Sequence, residues 1–348
     1  MNCDKKTQVE INGEKFVLPK KPRLFQNGSK VHMLRSKRVL GIMFDMILNH
    51  GGLGDVYVGI NPYKEWQQLY KKLAAADDKE CIADDAEAWD FHFVYWFASI
   101  FCEYVWKQRN ISFKDNFQKR FDCIIHTTLC YYMILGNKLF MILGMPSGSF
   151  ATATLNSIFN SFMTRAIWCK LQEIYAELRD VSFDEAVRLG VFGDDGINTV
   201  LEQYKKYYNG KTTASLWKSL CNITKTPLEK DGKEVPLFVP LKSVGFEVGH
   251  GQFLKRTFSK ENDLVMCPLD SESLEKMLMW YVPSKSIPDR VLIGQIVDTA
   301  IVEYFYHGRE KFDTMKTFII NYMRKCVDPS YSHPNTYDDY MAAHVKNL

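Results

Sequence analysis

Between two short apolar runs, the segment Val191-Phe192-Gly193-Asp194-Asp195-Gly196-Ile197 sets two carboxylates side by side. Leu189 to Phe192 and Ile197 to Leu201 each read as a short strand, and Gly193 and Gly196 permit a tight turn between them. Adjacent aspartates repel each other, and apolar flanks remove the water that would screen them. A cation offsets both costs. Hard divalent ions take carboxylate oxygens together with substrate phosphates, so a pair of Mg²⁺ ions is the natural occupant. A solvated surface turn would use the same tripeptide, and the rest of the chain has to decide between them.

Two upstream segments bear on that choice. Glu80 to Ala83 predicts a short apolar strand that delivers Asp84, Asp85 and Asp90. A carboxylate leaving that strand beside the Gly-Asp-Asp hairpin completes a two-ion site, with Asp85 and Asp194 bridging both ions and Asp195 a weaker outer ligand. The same acids would also suit a solvated helix start. The second segment, Gly144-Met145-Pro146-Ser147-Gly148-Ser149, is a flexible turn feeding a helix. On that helix Thr152 and Asn156 are four residues apart and share a face, and the small residues around them let a polymer approach closely.

The elements that must position these groups are neither all-helical nor regularly alternating. Met1 to about Arg38 reads as a basic loop with Pro19, Pro22 and Gly28 as punctuation, followed by a helix over Val39 to Leu48 and a Gly-rich connector at 51–54. Helices are predicted over Tyr63 to Ala76, Phe91 to Gln108, Ala151 to Leu178 and Thr213 to Cys221. Strands are predicted at Lys138 to Leu143, around Ser243 to Val248 and at Gln252 to Arg256. From Ser271 the pattern is helical, with Pro283 and Pro288 separating segments. Strands and helices mixed in this way give an α+β class.

Composition sets outer limits. With 348 residues and 46% hydrophobic content the chain can bury a sizeable core in two or three subdomains. Residues 1–40 hold ten Lys or Arg against three Asp or Glu, so the overall +3 conceals a basic end and a mildly acidic remainder, as suits a handler of polyanions. The nine cysteines are odd in number and form no C-x-x-C pair, which argues against a zinc site and a secreted disulfide framework and favours a reducing, intracellular setting. Met1-Asn2-Cys3-Asp4-Lys5-Lys6 lacks the apolar core of a signal peptide, so none is expected. The longest apolar stretch, Tyr131 to Met145, is interrupted by Asn137 and Lys138, so no membrane anchor is expected.

The ordered series Asp85-x4-Asp90, Gly144-Met-Pro-Ser-Gly148 with Thr152 and Asn156, Gly193-Asp-Asp195, then Phe253-Leu-Lys-Arg256 resembles the RNA-dependent RNA polymerases of positive-strand RNA viruses, the picornavirus-like group above all. The resemblance runs from about Pro19 to the C-terminus. It implies a right-hand polymerase with an antiparallel-sheet palm, a helical thumb and partial fingers. The corresponding division is 1–42 partial fingers, 43–121 palm, 122–144 a fingers insertion, 145–257 palm and 258–348 thumb. The implied activity is template-directed RNA synthesis from NTPs by two-metal nucleotidyl transfer with Mg²⁺ or Mn²⁺. RNA template, primer and NTPs are the implied partners, with a protein primer and other viral replication proteins also compatible. The implied setting is the host cytoplasm, in a replication complex held at membranes through partners. A reverse transcriptase and a catalytically inactive RNA-binding subunit are the alternatives.

Carried over residue by residue, the resemblance makes Asp85, Asp194 and Asp195 the metal-binding and catalytic carboxylates. Asp90 and Asn156 match the sensors of the ribose 2′-hydroxyl, Thr152 their partner near the ribose, and Ser147 and Gly148 the flexible loop. Lys230 matches the proposed general acid toward pyrophosphate, with Lys225 and Lys233 as rivals. Lys21 and Arg23 match the basic fingers residues that grip phosphates, and Lys255 and Arg256 the hairpin that supports the primer 3′ end. Asp84 stands where the family usually has an apolar residue, and spacing to Asp90 selects Asp85. The chain also opens just ahead of the basic fingers motif, which is compatible with a fragment, an incomplete reading frame or half of a split enzyme.

Overall fold

The computed structural model describes residues 7–11, 14–18, 29–49, 54–86, 89, 96–107, 115–135, 137–146, 148–226, 236–261 and 263–347. A sheet of short strands stands at the centre. Strand β1 (Thr7–Ile11) and β2 (Glu14–Leu18) form a separate antiparallel ribbon, followed by α1 (Lys30–Asn49) and α2 (Pro62–Ala74). The central strand β3 (Glu80–Ala86) comes next, then α3 (Trp96–Lys107) and α4 (Asp115–Leu129). A second ribbon, β4 (Cys130–Leu135) and β5 (Lys138–Leu143), leads to the long helix α5 (Thr152–Ile174). The hairpin β6 (Val187–Phe192) and β7 (Asp195–Val200) precedes α6 (Gly210–Cys221), β8 (Lys225–Thr226) and β9 (Val239–Pro240). Strands β10 (Lys242–Ser243), β11 (Phe258–Glu261) and β12 (Leu264–Met266) form a small sheet. Helices α7 (Ser271–Met279), α8 (Asp289–Phe305), α9 (Arg309–Cys326) and α10 (Tyr337–Asn347) close the chain.

The central sheet runs β6-β7-β3-β8, all antiparallel, with β9 paired to the start of β3. Alternation along its strands feeds two separate cores, because successive side chains point to opposite faces. Ile82, Leu189 and Val191 join one core, built on α1, α3, α4 and α5, whereas Cys81, Ala83 and Ile197 join a second, built on α2 and the C-terminal helices. Helix α2 shows how the sequence dictates such packing. The Asn61 side chain accepts the Tyr63 N–H, Pro62 pre-sets the first turn, and Trp66, Leu69, Tyr70 and Leu73 repeat at helical spacing on the buried side.

The predicted helix at 63–76 and strand at 138–143 are found within a residue or two. Others differ for local reasons. The basic N-terminal stretch, predicted as loop, contains β1 and β2, and α1 starts at Lys30 because the Ser29 carbonyl accepts the Met33 N–H. Helix α4 and strand β4 were not anticipated; β4 pairs with β5 from Cys130↔Leu143 to Leu135↔Lys138, which turns the interrupted apolar run into a ribbon. The predicted strand at 243–248 is a loop beyond Ser243. Gly245 and Gly249 there adopt left-handed φ of +66° and +91°, and bends at these glycines outweigh the β-propensity of Val244 and Val248. No helix among the described residues is long and apolar enough to cross a membrane.

The C-terminal helices carry a pH dependence. Burial lowers the His307 imidazole from 6.5 to about 4, and burial lowers His344 as well. A histidine kept neutral in the fold costs stability once the unfolded chain can protonate it, so that loss sets in below about pH 6.5 and is complete near pH 4. A Tm series across this window should show a fall that is shallower in a His307→Gln variant. Parallel curves for the two proteins would disprove the assignment.

Candidate active site

The two aspartates sit on the β6–β7 hairpin, whose last pair is Phe192↔Asp195. Gly193 has φ +63° while Asp194 does not enter the left-handed region, the sign pattern of a type II′ turn with glycine at its first central position. Gly196, expected to help make the turn, instead lies inside β7 between Asp84 and Val191. Only Gly193 is required by the turn itself.

Helix α5 holds that turn from behind. The Gly193 N–H donates to Ser157 Oγ at 2.7 Å, and the Ser157 hydroxyl in turn donates to the Ala153 carbonyl at 2.7 Å. Asn160 Nδ2 lies 3.2 Å from the carbonyl oxygens of both Gly193 and Asp194. Asn160 is 1% exposed and Ser157 fully buried, so these bonds do not compete with water. Both residues were missed from sequence. Their signal was the polar set Asn156, Ser157 and Asn160, on a helix otherwise rich in large apolar residues.

A second support comes from a turn 59 residues further on. Phe253 and Arg256 exchange both backbone hydrogen bonds at 2.9 Å, and Leu254 and Lys255 between them have φ of +53° and +58°. This is the pattern of a type I′ turn, which ordinarily recruits Asn and Gly. Left-handed backbone at two larger side chains costs roughly 1–2 kcal/mol each, so the turn is held by its surroundings. The Leu254 N–H donates to Asp195 Oδ2 at 2.5 Å, and the Lys255 carbonyl accepts from the Asp270 N–H at 2.9 Å. Phe253 is fully buried, stacked against Trp66.

Arg256 departs from expectation. Predicted to face a primer, it is 8% exposed and forms a fork on Glu303 of α8, with Nη2 at 2.7 Å from Oε1 and Nη1 at 2.9 Å from Oε2. Its Nη1 also donates to the Cys267 carbonyl at 2.8 Å. Burial beside a carboxylate is the physical reason: the charge is satisfied inside the protein. Tyr63 completes the group, its hydroxyl donating to Glu303 Oε1 at 2.6 Å, while burial first and this bond second push its phenol up to about 12. Lys255, by contrast, projects into solvent, its side chain 66% exposed and 4.0 Å from Asp270.

Asp85 belongs to β3. That strand pairs with β7 as Ile82↔Asn198, Ala83↔Ile197 and Asp84↔Gly196, so the next backbone step brings Asp85 level with Asp195. On its other edge Asp85 pairs with Thr226, and Ala86 with Lys225. The Asp85 side chain lies outside the described residues, as do Lys21, Arg23, Asp90, Ser147 and Lys230. Among the described residues no three His, Cys, Asp or Glu side chains gather around a metal position. The donor set still fits a hard cation: two half-exposed carboxylates on one turn, and a third aspartate one strand away in register.

The loop feeding α5 is braced by Thr152, whose Oγ1 is 2.7 Å from the Pro146 carbonyl and 2.9 Å from that of Ser149. Gly148 is half-buried beside it. One turn along, Asn156 is 5% exposed and its Oδ1 has no hydrogen-bond partner among the described residues. A buried amide oxygen left open is a ready acceptor for a ligand hydroxyl.

An antiparallel sheet presenting a carboxylate turn, with a helical unit behind it, defines a right-hand polymerase. The family described as viral RNA-dependent RNA polymerase matches residues 4–327, and the chain belongs to it. It is similar to the RNA1 polyprotein of Grapevine fanleaf virus, 29% identical over 80% of this chain and 12% of the polyprotein. It is also similar to the replicase polyprotein of Drosophila C virus (strain EB), 26% identical over 92% of this chain and 18% of the polyprotein. Among solved structures, Sicinivirus 3Dpol RNA dependent RNA polymerase superposes with a TM-score of 0.68 at 15% identity, covering 90% of this chain and 60% of that one. The chain therefore spans under a fifth of these polyproteins and about three-fifths of that polymerase.

The Asn160 bonds give a direct test. Asn160→Ala removes both donors and should lower the unfolding free energy by about 1–3 kcal/mol. Asn160→Asp keeps the shape, offers the two carbonyls no donor when ionised, and should cost more. Urea titrations that ranked the aspartate variant equal to wild type would contradict this account of the turn.

Proposed function

We propose that the chain catalyses template-directed RNA synthesis, adding NTPs to an RNA 3′ end for viral genome replication. The observation that carries it is the braced Gly-Asp-Asp turn with Asp85 in register on the adjacent strand. Asp85, Asp194 and Asp195 would hold two Mg²⁺ or Mn²⁺ ions. Bound ions of this kind activate a 3′-hydroxyl and neutralise charge on the departing pyrophosphate.

The chain's own residues supply position and selection. Asn156 Oδ1 accepts the ribose 2′-hydroxyl, together with Asp90, so a nucleotide lacking that hydroxyl leaves buried polar groups unpaired. Thr152 ties the carbonyls of Pro146 and Ser149 to the start of α5, and Ser147 and Gly148 serve as the flexible loop near the nucleotide. Lys255 offers an exposed cation to the primer phosphate backbone, Lys21 and Arg23 grip the triphosphate, and Lys230 donates a proton to pyrophosphate. Residues 43–121 and 145–257 form the palm in this reading, 1–42 and 122–144 contribute to the fingers, and 258–348 form the thumb. Template, primer, a protein primer and other viral replication proteins are the partners, and the host cytoplasm the setting. Contacts made mainly to phosphates make RNA binding steeply salt-dependent.

Extension of a primed RNA tests the reading. Asp194→Ala should abolish extension and leave RNA affinity within about twofold, because the turn is held through main-chain groups that the substitution spares. Undiminished extension by that variant would refute the metal assignment. A second assay compares NTP with dNTP incorporation: wild type should strongly prefer NTPs, and Asn156→Ala should erode that preference roughly tenfold or more. Equal use of dNTPs by the wild type would instead favour a reverse transcriptase, and an inert wild type a binding subunit.

A further inference from the structure

We infer that the trio of half-buried Tyr63 with buried Glu303 and Arg256 is a positioning device through which helix α8 sets the Asp195 carboxylate. The inference rests on the polymerase reading for its catalytic meaning, though the mechanical link stands on geometry alone. Glu303 is 3% exposed and gathers three donated hydrogen bonds: two from the Arg256 fork and one from the Tyr63 hydroxyl. Tyr63 belongs to α2, Glu303 to α8, and Arg256 to neither, so one carboxylate ties together two helices and the intervening turn.

From Arg256 the connection to Asp195 is short and stiff. Arg256 shares both backbone hydrogen bonds with Phe253, which is itself fully buried against Trp66. The two residues enclosed between them are left-handed, a conformation that Leu254 and Lys255 would leave if released. In that conformation the Leu254 N–H is presented to Asp195 Oδ2 at 2.5 Å. A turn pinned at Arg256 and Phe253 therefore fixes where one oxygen of the second aspartate lies, and with it how the rest of that carboxylate faces a substrate. It also fixes the base of the exposed Lys255 side chain. None of the trio touches substrate in this arrangement. They act through Leu254 and Asp195, and Arg256 thereby acquires a role distinct from gripping a primer.

The test replaces the trio by apolar side chains of similar volume, Tyr63→Phe, Arg256→Met and Glu303→Leu together, a kind of exchange that folds often tolerate. Two quantities are read on the full chain: hydrogen exchange at the Leu254 amide at single-residue resolution, and kcat and KM for incorporation of one NTP. Leu254 exchange should rise by about tenfold or more while that of Gly193, held by Ser157, stays unchanged. The kcat should fall by about tenfold with KM for NTP altered less than about twofold. Unchanged Leu254 exchange in a folded variant overturns the link, and faster exchange with unchanged kcat overturns its catalytic role. Should the triple variant not fold, Glu303→Gln is read in the same way, with Arg256→Lys expected to retain part of the effect. An inert wild type would remove the polymerase reading, and the exchange result would still decide whether α8 positions Asp195.

Discussion

Two adjacent carboxylates, one on a two-residue turn and one on the first strand residue after it, repel each other, and the structure is organised around holding them there. The turn is restrained through its backbone: Ser157 and Asn160 take the peptide groups of Gly193 and Asp194. Asp195 is treated differently, since one of its oxygens accepts the Leu254 amide. Asp195 is therefore held through its side chain as well as through its strand pairing with Phe192.

Much of this site was legible because its signals are local. Gly193 before two aspartates between apolar runs can hardly be anything but a turn, and the Pro146–Gly148 punctuation before a long polar-striped segment fixes where α5 starts. What sequence could not display is pairing at a distance. Nothing near Arg256 indicates that its charge meets Glu303 forty-seven positions later, so a basic residue beside a basic residue read as a nucleic-acid grip. Leu254 contributes only a main-chain N–H, which no side-chain pattern encodes.

The fold shows the same division. Helix α2, with its cap, its proline and its apolar repeat, announces itself, whereas β8, β9 and β10 are two residues each and exist only because neighbouring strands supply partners. Strand β4 was hidden inside an apolar run whose period alone could not separate strand from helix. The left-handed Leu254-Lys255 pair is a comparable case. Local preference disfavours it, and buried groups on both sides impose it.

The central sheet separates two hydrophobic interiors, and adjacent residues of β3 serve opposite ones: Cys81 and Ala83 on one side, Ile82 on the other. Damage deep in either half would thus reach the same narrow partition and shift the aspartates it carries. Heat-sensitive substitutions should consequently arise in both halves, far from the Gly-Asp-Asp turn, and still disturb it as directly as changes beside it.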